Sequence, residues 1–170
     1  MKENIFIQTN YQNENPILAK YGCFALTLAF ISQQERDPRI LLETKKDVLR
    51  VFEDFQKKGY LDDEYFVNDA AAILKELTSK KSKQLTLNPK FAFLGRETYF
   101  PVLFPVEKGS YEVICYRHKD NMNLTHFSLG RTNTGSLQEI DIIFNTLGEE
   151  WLEKNEGLWF ASDKRVFKVG

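Results

Sequence analysis

The chain has 170 residues, of which 42% are hydrophobic and 28% charged, and its formal net charge is −1 at neutral pH. This composition fits one domain with a real core, and it lacks the basic surplus typical of proteins that bind nucleic acid or anionic membranes. We therefore expect a single domain over residues 1–170, with neither nucleic acid nor a membrane as its partner.

The N-terminal stretch MKENIFIQTN lacks the long apolar segment of a signal peptide. No apolar run approaches the roughly 20 residues that span a bilayer. The sequence contains two cysteines, Cys23 and Cys115, which are too few for a disulfide scaffold. These observations favour a cytoplasmic location in which both thiols are reduced.

The first ten residues alternate loosely, which predicts a short strand, and the polar residues up to Pro16 predict an irregular loop. A helix is predicted to begin at Gly22. Nearly every position from Cys23 to Ser32 is apolar, as expected for a helix that is buried on all sides.

Two amphipathic helices are predicted next. Thr44 and Asp47 form a potential capping box for the first, which is expected to end at Gly59. Asn68 is predicted to cap the second. The Lys-rich residues 80–83 are predicted to form a solvated linker.

The hydrophobic pattern changes to period two after this linker, and Pro101 and Pro105 mark an edge or a bend. The segments predicted to be strands are KFAFLG, YFPVLFPV, SYEVICYR, LTHFSLG, LQEIDIIF, GLWFAS and KRVFKV. A helical part over about residues 17–80, followed by antiparallel strands over about residues 90–170, predicts an α+β fold.

Cys23 has two interpretations. Free cysteine is often a small buried hydrophobe, and the apolar helix suits that role. Alternatively, Cys23 lies on the first helical turn, where the positive end of the helix dipole favours the thiolate, the nucleophilic form of the side chain. Its own backbone N–H, unpaired in that turn, could also stabilise an oxyanion.

The chain has two histidines. His118 lies in the polar stretch RHKDNM and is predicted to be a solvated loop residue. His126 lies in a predicted strand, where a histidine is more often structural than catalytic. It becomes a candidate base if a cysteine and an orienting group lie beside it. Neither histidine belongs to a cluster with the spacing of metal ligands, so no metal is expected.

The hairpin that follows His126 offers two orienting groups. A turn centred on residues 135–136 would place Asn145 opposite His126, and a turn centred on residues 133–134 would place Asp141 there. Glycine at the first central position suits a type II′ hairpin turn, which favours Asn145. Asp141 remains the alternative.

These residues resemble the papain-like cysteine peptidases. GCFAL at residues 22–26 is similar to the C-W-A-F stretch around their nucleophile, with Phe24 in place of the tryptophan. THFSLG resembles the strand of the catalytic histidine. IIFNTLGEEWLEKNEGLWF resembles the ending I-K-N-S-W-G-x-x-W-G-x-x-G-Y, with Asn145, Gly148 and Trp151 at matching offsets. The length is closest to the small bacterial members, such as the bacteriocin-leader peptidase group and uncharacterised spirochaete and phage proteins.

The resemblance implies a papain-like fold in which the buried helix that carries Cys23 packs against an antiparallel sheet or half-barrel. It implies that Cys23 is the nucleophile, His126 the general base and acid, and Asn145 the orienting group. The implied activity is cleavage of an amide in a peptide or protein through an acyl-thioester, with no metal or organic cofactor. A catalytically silent papain-like domain that binds a peptide or protein partner is the alternative.

The sequence departs from the family pattern at two functional positions. The family's oxyanion glutamine, six residues before the cysteine, is replaced by Ile17, so the resemblance implies that Gln8, or less directly Gln12, takes this role through a longer loop. The tryptophan that shields the asparagine–histidine hydrogen bond is replaced by Leu147. Related acyl-transfer chemistry, such as transglutaminase-like or peptidoglycan-amidase activity, would use the same groups.

Overall fold

The computed structural model describes residues 3–84, 110–132, 137 and 140–170. Within these residues the protein is a mixed α+β structure, which confirms the predicted class. The helices are a 3-10 helix at Gln8–Tyr11, α1 at Pro16–Tyr21, α2 at Cys23–Gln34, α3 at Lys45–Lys57, α4 at Ala70–Thr78 and α5 at Trp151–Lys154. The strands are β1 at Ser82–Gln84, β2 at Ser110–His118, β3 at Asn121–Thr132, β4 at Ile140–Asn145 and β5 at Trp159–Val169.

The strands form one antiparallel sheet in the order β1-β5-β2-β3-β4. Helix α2 contacts β3, α4 contacts β1 and β5, and the two helices contact each other, so α2 and α4 pack on one face of this sheet. Tyr11, Phe52, Phe55 and Phe167 are the largest fully buried side chains of the core between these layers. Burial of these apolar side chains stabilises the packing of α2 against β3, the strand that carries His126.

Several predicted elements take a different form. The N-terminal strand is absent from the described residues, and the 3-10 helix lies in its place. The helical region begins before Gly22, because the Asn15 side chain caps α1 by accepting from the Leu18 N–H and Pro16 occupies the first turn. The capping box of Thr44 and Asp47 is confirmed at α3.

Other boundaries move as well. Asp69, rather than Asn68, caps α4. Residues 80–83 are more than a solvated linker, because Lys80 forms an ion pair with Glu35 and β1 pairs with β5. GLWFAS and KRVFKV join into the single strand β5. The predicted strands KFAFLG and YFPVLFPV, with Pro101 and Pro105, lie outside the described residues.

Gly22 joins α1 to α2 and thereby positions Cys23. The Gly22 N–H donates to the carbonyl of Leu18 at 2.8 Å. A Cβ atom added at Gly22 would lie 2.4 Å from Leu18 Cδ1 and 2.5 Å from the Leu18 carbonyl oxygen. Because a backbone oxygen cannot move aside as a side-chain end can, the close approach of residue 22 to the last turn of α1 requires glycine here.

We predict that Gly22→Ala lowers the free energy of unfolding by roughly 1–3 kcal/mol, the usual cost of overpacking a tight site. Urea unfolding followed by circular dichroism measures this change. Glu53→Ala, on the exposed side of α3, is the control and is expected to stay close to wild type. Equal stability of Gly22→Ala and wild type would contradict the proposed crowding.

Candidate active site

His126 and Asn145 meet in the interior. His126 lies in β3 and Asn145 is the last residue of β4, and their exposed fractions are 3% and 4%. The distance between His126 Nε2 and Asn145 Oδ1 is 2.8 Å, which is a normal hydrogen bond. The structure therefore brings together two of the predicted site residues.

The partners of Asn145 determine the tautomer of the imidazole. Asn145 Oδ1 also accepts from the backbone N–H of Leu147 at 2.9 Å, and because a backbone amide can only donate, this atom must be the amide oxygen. His126 Nε2 must then be the protonated nitrogen of the neutral ring. The lone pair remains on Nδ1, which is the atom that can accept a proton.

Trp151 covers the histidine. Its ring centroid lies 4.4 Å from that of His126, and it also contacts Tyr116 with centroids 5.8 Å apart. Gly148, at φ 100°, makes the turn that leads from Asn145 to α5. The aromatic cover of His126 comes from Trp151, a role that the sequence analysis missed. Only the packing of α5 reveals it.

The strand register differs from the predicted hairpin. Asn145 lies opposite Ser128, two residues beyond His126. The register shift between Leu129 and Gly130 accounts for one of these residues, and the pairing of Arg131 with Asp141 is already displaced by the other. His126 and Asn145 therefore bond diagonally, on one face of the sheet. Asp141 pairs with Arg131 instead. The turn residues 133–136 lie outside the described residues.

Cys23 is the first residue of α2 and is 8% exposed. Cys23 lines a cavity together with Phe127, the residue after His126, and the ring of Phe24 stacks on that of Phe127. The first turn of α2 therefore lies against the strand that carries His126. The imidazole packs under Trp151 and the Phe127 ring stacks on Phe24, so consecutive side chains of β3 leave the strand on opposite faces.

Burial shifts the pKa values of both groups toward their neutral forms. Desolvation raises the pKa of the Cys23 thiol to about 11, and the backbone N–H donors from Phe127, Phe24 and Cys23 oppose this rise. Desolvation lowers the pKa of His126 to about 4, against the hydrogen bond with Asn145. The sequence predicted a lowered thiol pKa from the helix N-terminus. In the folded protein the loss of water outweighs that effect, and the resting pair is a neutral thiol and a neutral imidazole.

Gln8 ties the N-terminal segment to the site and is 3% exposed. Its side-chain Nε2 donates to the carbonyls of Ala19 at 2.9 Å and Lys20 at 3.3 Å. Its Oε1 accepts from Thr146 Oγ1 at 2.7 Å, and its backbone N–H donates to the Thr146 carbonyl. Gln8 thus joins the residue after Asn145 to the helix that leads to Cys23. Its amide hydrogens are directed at the carbonyls of α1.

The remaining candidates lie apart from this arrangement. Gln12 is exposed, as is Ile17 at 47%. His118 ends β2, where its Nδ1 accepts from the Asp120 N–H and its ring packs edge-on against Trp159. Cys115 is fully buried in the sheet.

A cavity of about 240 Å³ opens beside Cys23. Aromatic rings and cationic side chains make up most of its wall. The lining residues are Lys20, Tyr21, Cys23, Phe24, Tyr65, Phe66, Val67, Arg117, Thr125, Phe127 and Arg165. The nucleophile predicted from the sequence therefore lies at the wall of a space that can hold part of a ligand.

Three searches add context to this geometry. We found no match for the chain among protein-family models, among curated proteins or among solved structures. In the part of the chain that the structure describes, no three His, Cys, Asp or Glu residues are grouped so that they could hold a metal ion. No helix among the described residues is long and apolar enough to cross a membrane.

We predict that alkylation of Cys23 in the resting protein accelerates about tenfold per pH unit from about pH 6 to about pH 9, because only the thiolate reacts and its pKa lies above this range. The rate is measured with iodoacetamide, and peptide mass spectrometry separates Cys23 from Cys115. A rate that is already constant below pH 7 would show a stabilised thiolate and contradict the neutral pair.

We predict that His126 makes stability depend on pH. The unfolded chain binds a proton near pH 6.5, whereas burial lowers the folded-state pKa of His126 to about 4. Stability therefore falls as the pH drops through this window, by about 3 kcal/mol in total, and recovers as the pH rises. The measurement is urea unfolding at several pH values. His126→Gln should lose this component of the pH dependence, and identical profiles for both proteins would contradict it.

Proposed function

We propose that the protein is a cysteine hydrolase of papain-like architecture that cleaves an amide bond in a peptide or protein. The observation that carries this proposal is the hydrogen bond of His126 Nε2 to Asn145, which leaves the basic lone pair on Nδ1. Cys23 lines the same cavity as Phe127, the next residue along the strand of His126. Acyl transfer needs a nucleophile, a base and an orienting group, and the proposal assigns these roles to Cys23, His126 and Asn145. It requires the imidazole, which leaves β3 on the face opposite Phe127, to reach the Cys23 sulfur when substrate binds.

The reaction proceeds in two stages. His126 Nδ1 takes the thiol proton while the Cys23 sulfur attacks the substrate carbonyl, which forms a tetrahedral intermediate with a negative oxygen. As the carbon–nitrogen bond breaks, the imidazolium gives its proton to the leaving amine. Water then attacks the acyl-thioester, again through His126, and releases the acid and the thiol.

The Cys23 thiol and the His126 imidazole are both neutral in the resting protein. This favours a mechanism in which His126 accepts the proton during the attack, rather than one that starts from a thiolate–imidazolium ion pair. A substrate in the cavity excludes water and brings the carbonyl to the sulfur, so proton transfer to His126 is coupled to bond formation. Trp151 and Asn145 hold the ring for this step, and the Asn145 oxygen stabilises the imidazolium as its Nε2 proton becomes more acidic.

The oxyanion has two candidate donors. The backbone N–H of Cys23 lies in the first turn of α2, where no intrahelical acceptor is available. Gln8 is the second candidate. Its Nε2 donates to the Ala19 carbonyl at 2.9 Å and to the Lys20 carbonyl at 3.3 Å. The hydrogen of the longer contact, the one with Lys20, would turn to donate to the oxyanion instead.

A second function has specific support. The low exposure of Cys23, its raised pKa and the engaged amide of Gln8 also suit a catalytically silent domain that binds a peptide or protein in the same cavity. The two functions differ in one observable, because only the hydrolase turns over a peptide.

We predict a graded loss of activity on a peptide library, with products identified by mass spectrometry. Cys23→Ala should abolish cleavage, and His126→Ala should lower kcat by about 10³-fold or more. Asn145→Ala should lower it by about 10–100-fold, since it orients the base, and Gln8→Ala by about 10²–10³-fold if it supplies an oxyanion donor. Cys115→Ala, which changes a thiol outside the site, is the control.

Cleavage that survives Cys23→Ala would contradict the hydrolase. Peptides that bind wild type without being cleaved, and bind His126→Ala equally well, would establish the silent binding domain instead. If activity depends on Cys23 and His126 but Gln8→Ala is as fast as wild type, Gln8 is removed from the oxyanion site and the rest of the mechanism stands.

A further inference from the structure

The charged residues that line the cavity beside Cys23 are all cationic. Lys20, Arg117 and Arg165 contribute three cations to its wall, and none of its described lining residues carries a carboxylate. The whole chain has a net charge of only −1, so this excess of positive charge is local. A concave site with cationic walls raises the local concentration of anionic ligands.

Arg165 is held on an aromatic pair at the wall. Its guanidinium carbon lies 5.1 Å from the ring centroid of Phe24 and 5.0 Å from that of Phe127, and these two rings stack with centroids 4.5 Å apart. The stacking orients a planar donor without consuming its N–H groups. Phe24 follows Cys23 directly, so the guanidinium is fixed close to the nucleophile.

The hydrogen-bonding capacity of Arg165 is not used up by the described residues. Its Nε is buried and has no hydrogen-bond partner among them. In the same part of the chain, no ion pair joins Arg165 to an acid, and the carboxylate two residues before it on β5, Asp163, accepts from Ser162 instead. A buried donor without a partner carries a cost that a ligand oxygen would remove.

The other two cations of the cavity wall are less constrained. One guanidinium nitrogen of Arg117 donates to the Met122 carbonyl at 2.8 Å, and among the described residues its other donors have no hydrogen-bond partner. The Lys20 ammonium lies 5.0 Å from the ring centroid of Tyr21. A carboxylate can accept two parallel bonds from a guanidinium, which makes Arg165 the best-suited of the three as its main ligand.

We propose that the cavity binds a carboxylate on the substrate segment next to the scissile amide, with Arg165 as the specificity-determining residue. This inference rests on the proposed function, because it takes Cys23 as the point of cleavage. It adds the substrate class: a peptide that carries a negative charge next to the scissile amide, contributed by an acidic side chain or by a free C-terminal main-chain carboxylate.

The experiment compares two alkylating agents that differ only in charge, iodoacetate and iodoacetamide, at pH 8.5. The ratio of their rates at Cys23 is divided by the ratio for the same cysteine in denaturant. We expect this normalised ratio to exceed unity by about tenfold or more, because Arg165 attracts the carboxylate, and to fall as salt is added.

Two variants isolate Arg165. Arg165→Gln should return the ratio to nearly unity, and Arg165→Lys, which keeps the charge and most of the side-chain length, should retain much of it. Arg131→Gln, at an exposed position on β3 outside the cavity lining, is the matched control and should behave as wild type. A ratio near unity in wild type, or a raised ratio that Arg165→Gln leaves unchanged, would overturn the inference.

The source of the carboxylate is resolved with two isomers, N-acetylglutamine and the α-amide of N-acetylglutamic acid. The first carries only a main-chain carboxylate and the second only a side-chain carboxylate. Whichever isomer protects Cys23 from iodoacetamide identifies the source, and protection that disappears in Arg165→Gln supports the inference. Failure of both isomers to protect Cys23 would count against it.

The outcomes also separate this inference from the proposed function. A raised iodoacetate ratio in a protein that cleaves no peptide would retain the anion site and remove the hydrolase. Cleavage that depends on Cys23, together with a ratio near unity, would retain the hydrolase and remove the anion site.

Discussion

The hydrogen bond between His126 Nε2 and Asn145 Oδ1, at 2.8 Å, is the interaction on which the candidate site depends. Since Asn145 Oδ1 also accepts from the Leu147 N–H, it fixes the tautomer of the ring as well as its position. The Thr146 carbonyl and hydroxyl then bond to Gln8, which reaches the end of α1 just before Cys23. These hydrogen bonds thus link the segment after Asn145 to the end of α1, which leads into α2 and Cys23.

Burial sets the chemistry of this arrangement. With water excluded, Cys23 and His126 both favour their uncharged forms, so the helix N-terminus and the Phe127 amide only moderate the thiol pKa. In the proposed function, this neutral site becomes reactive only when a ligand occupies it, and the cavity with Arg165 on its wall is the proposed place for that ligand.

The sequence predicted the parts of the site that follow from local pattern. The apolar run after Cys23 indicated the buried helix, and glycine-based turn chemistry favoured Asn145 over Asp141 as the partner of His126. The sequence did not predict the features that depend on tertiary packing. The shift between Leu129 and Gly130 changes the register, Trp151 reaches His126 from α5, and desolvation reverses the expected thiol pKa. None of these has a local signature in the chain.

Coupling between the thiol and the imidazole is the central claim, and a double-mutant cycle on peptide cleavage tests it most directly. The rate at pH 7 with a peptide that wild type cleaves is measured in wild type, His126→Ala, Asn145→Ala and the double variant. The account predicts that each single variant reacts more slowly and that the double variant is no slower than His126→Ala, because Asn145 acts through the ring. Equal rates in wild type and His126→Ala would contradict it.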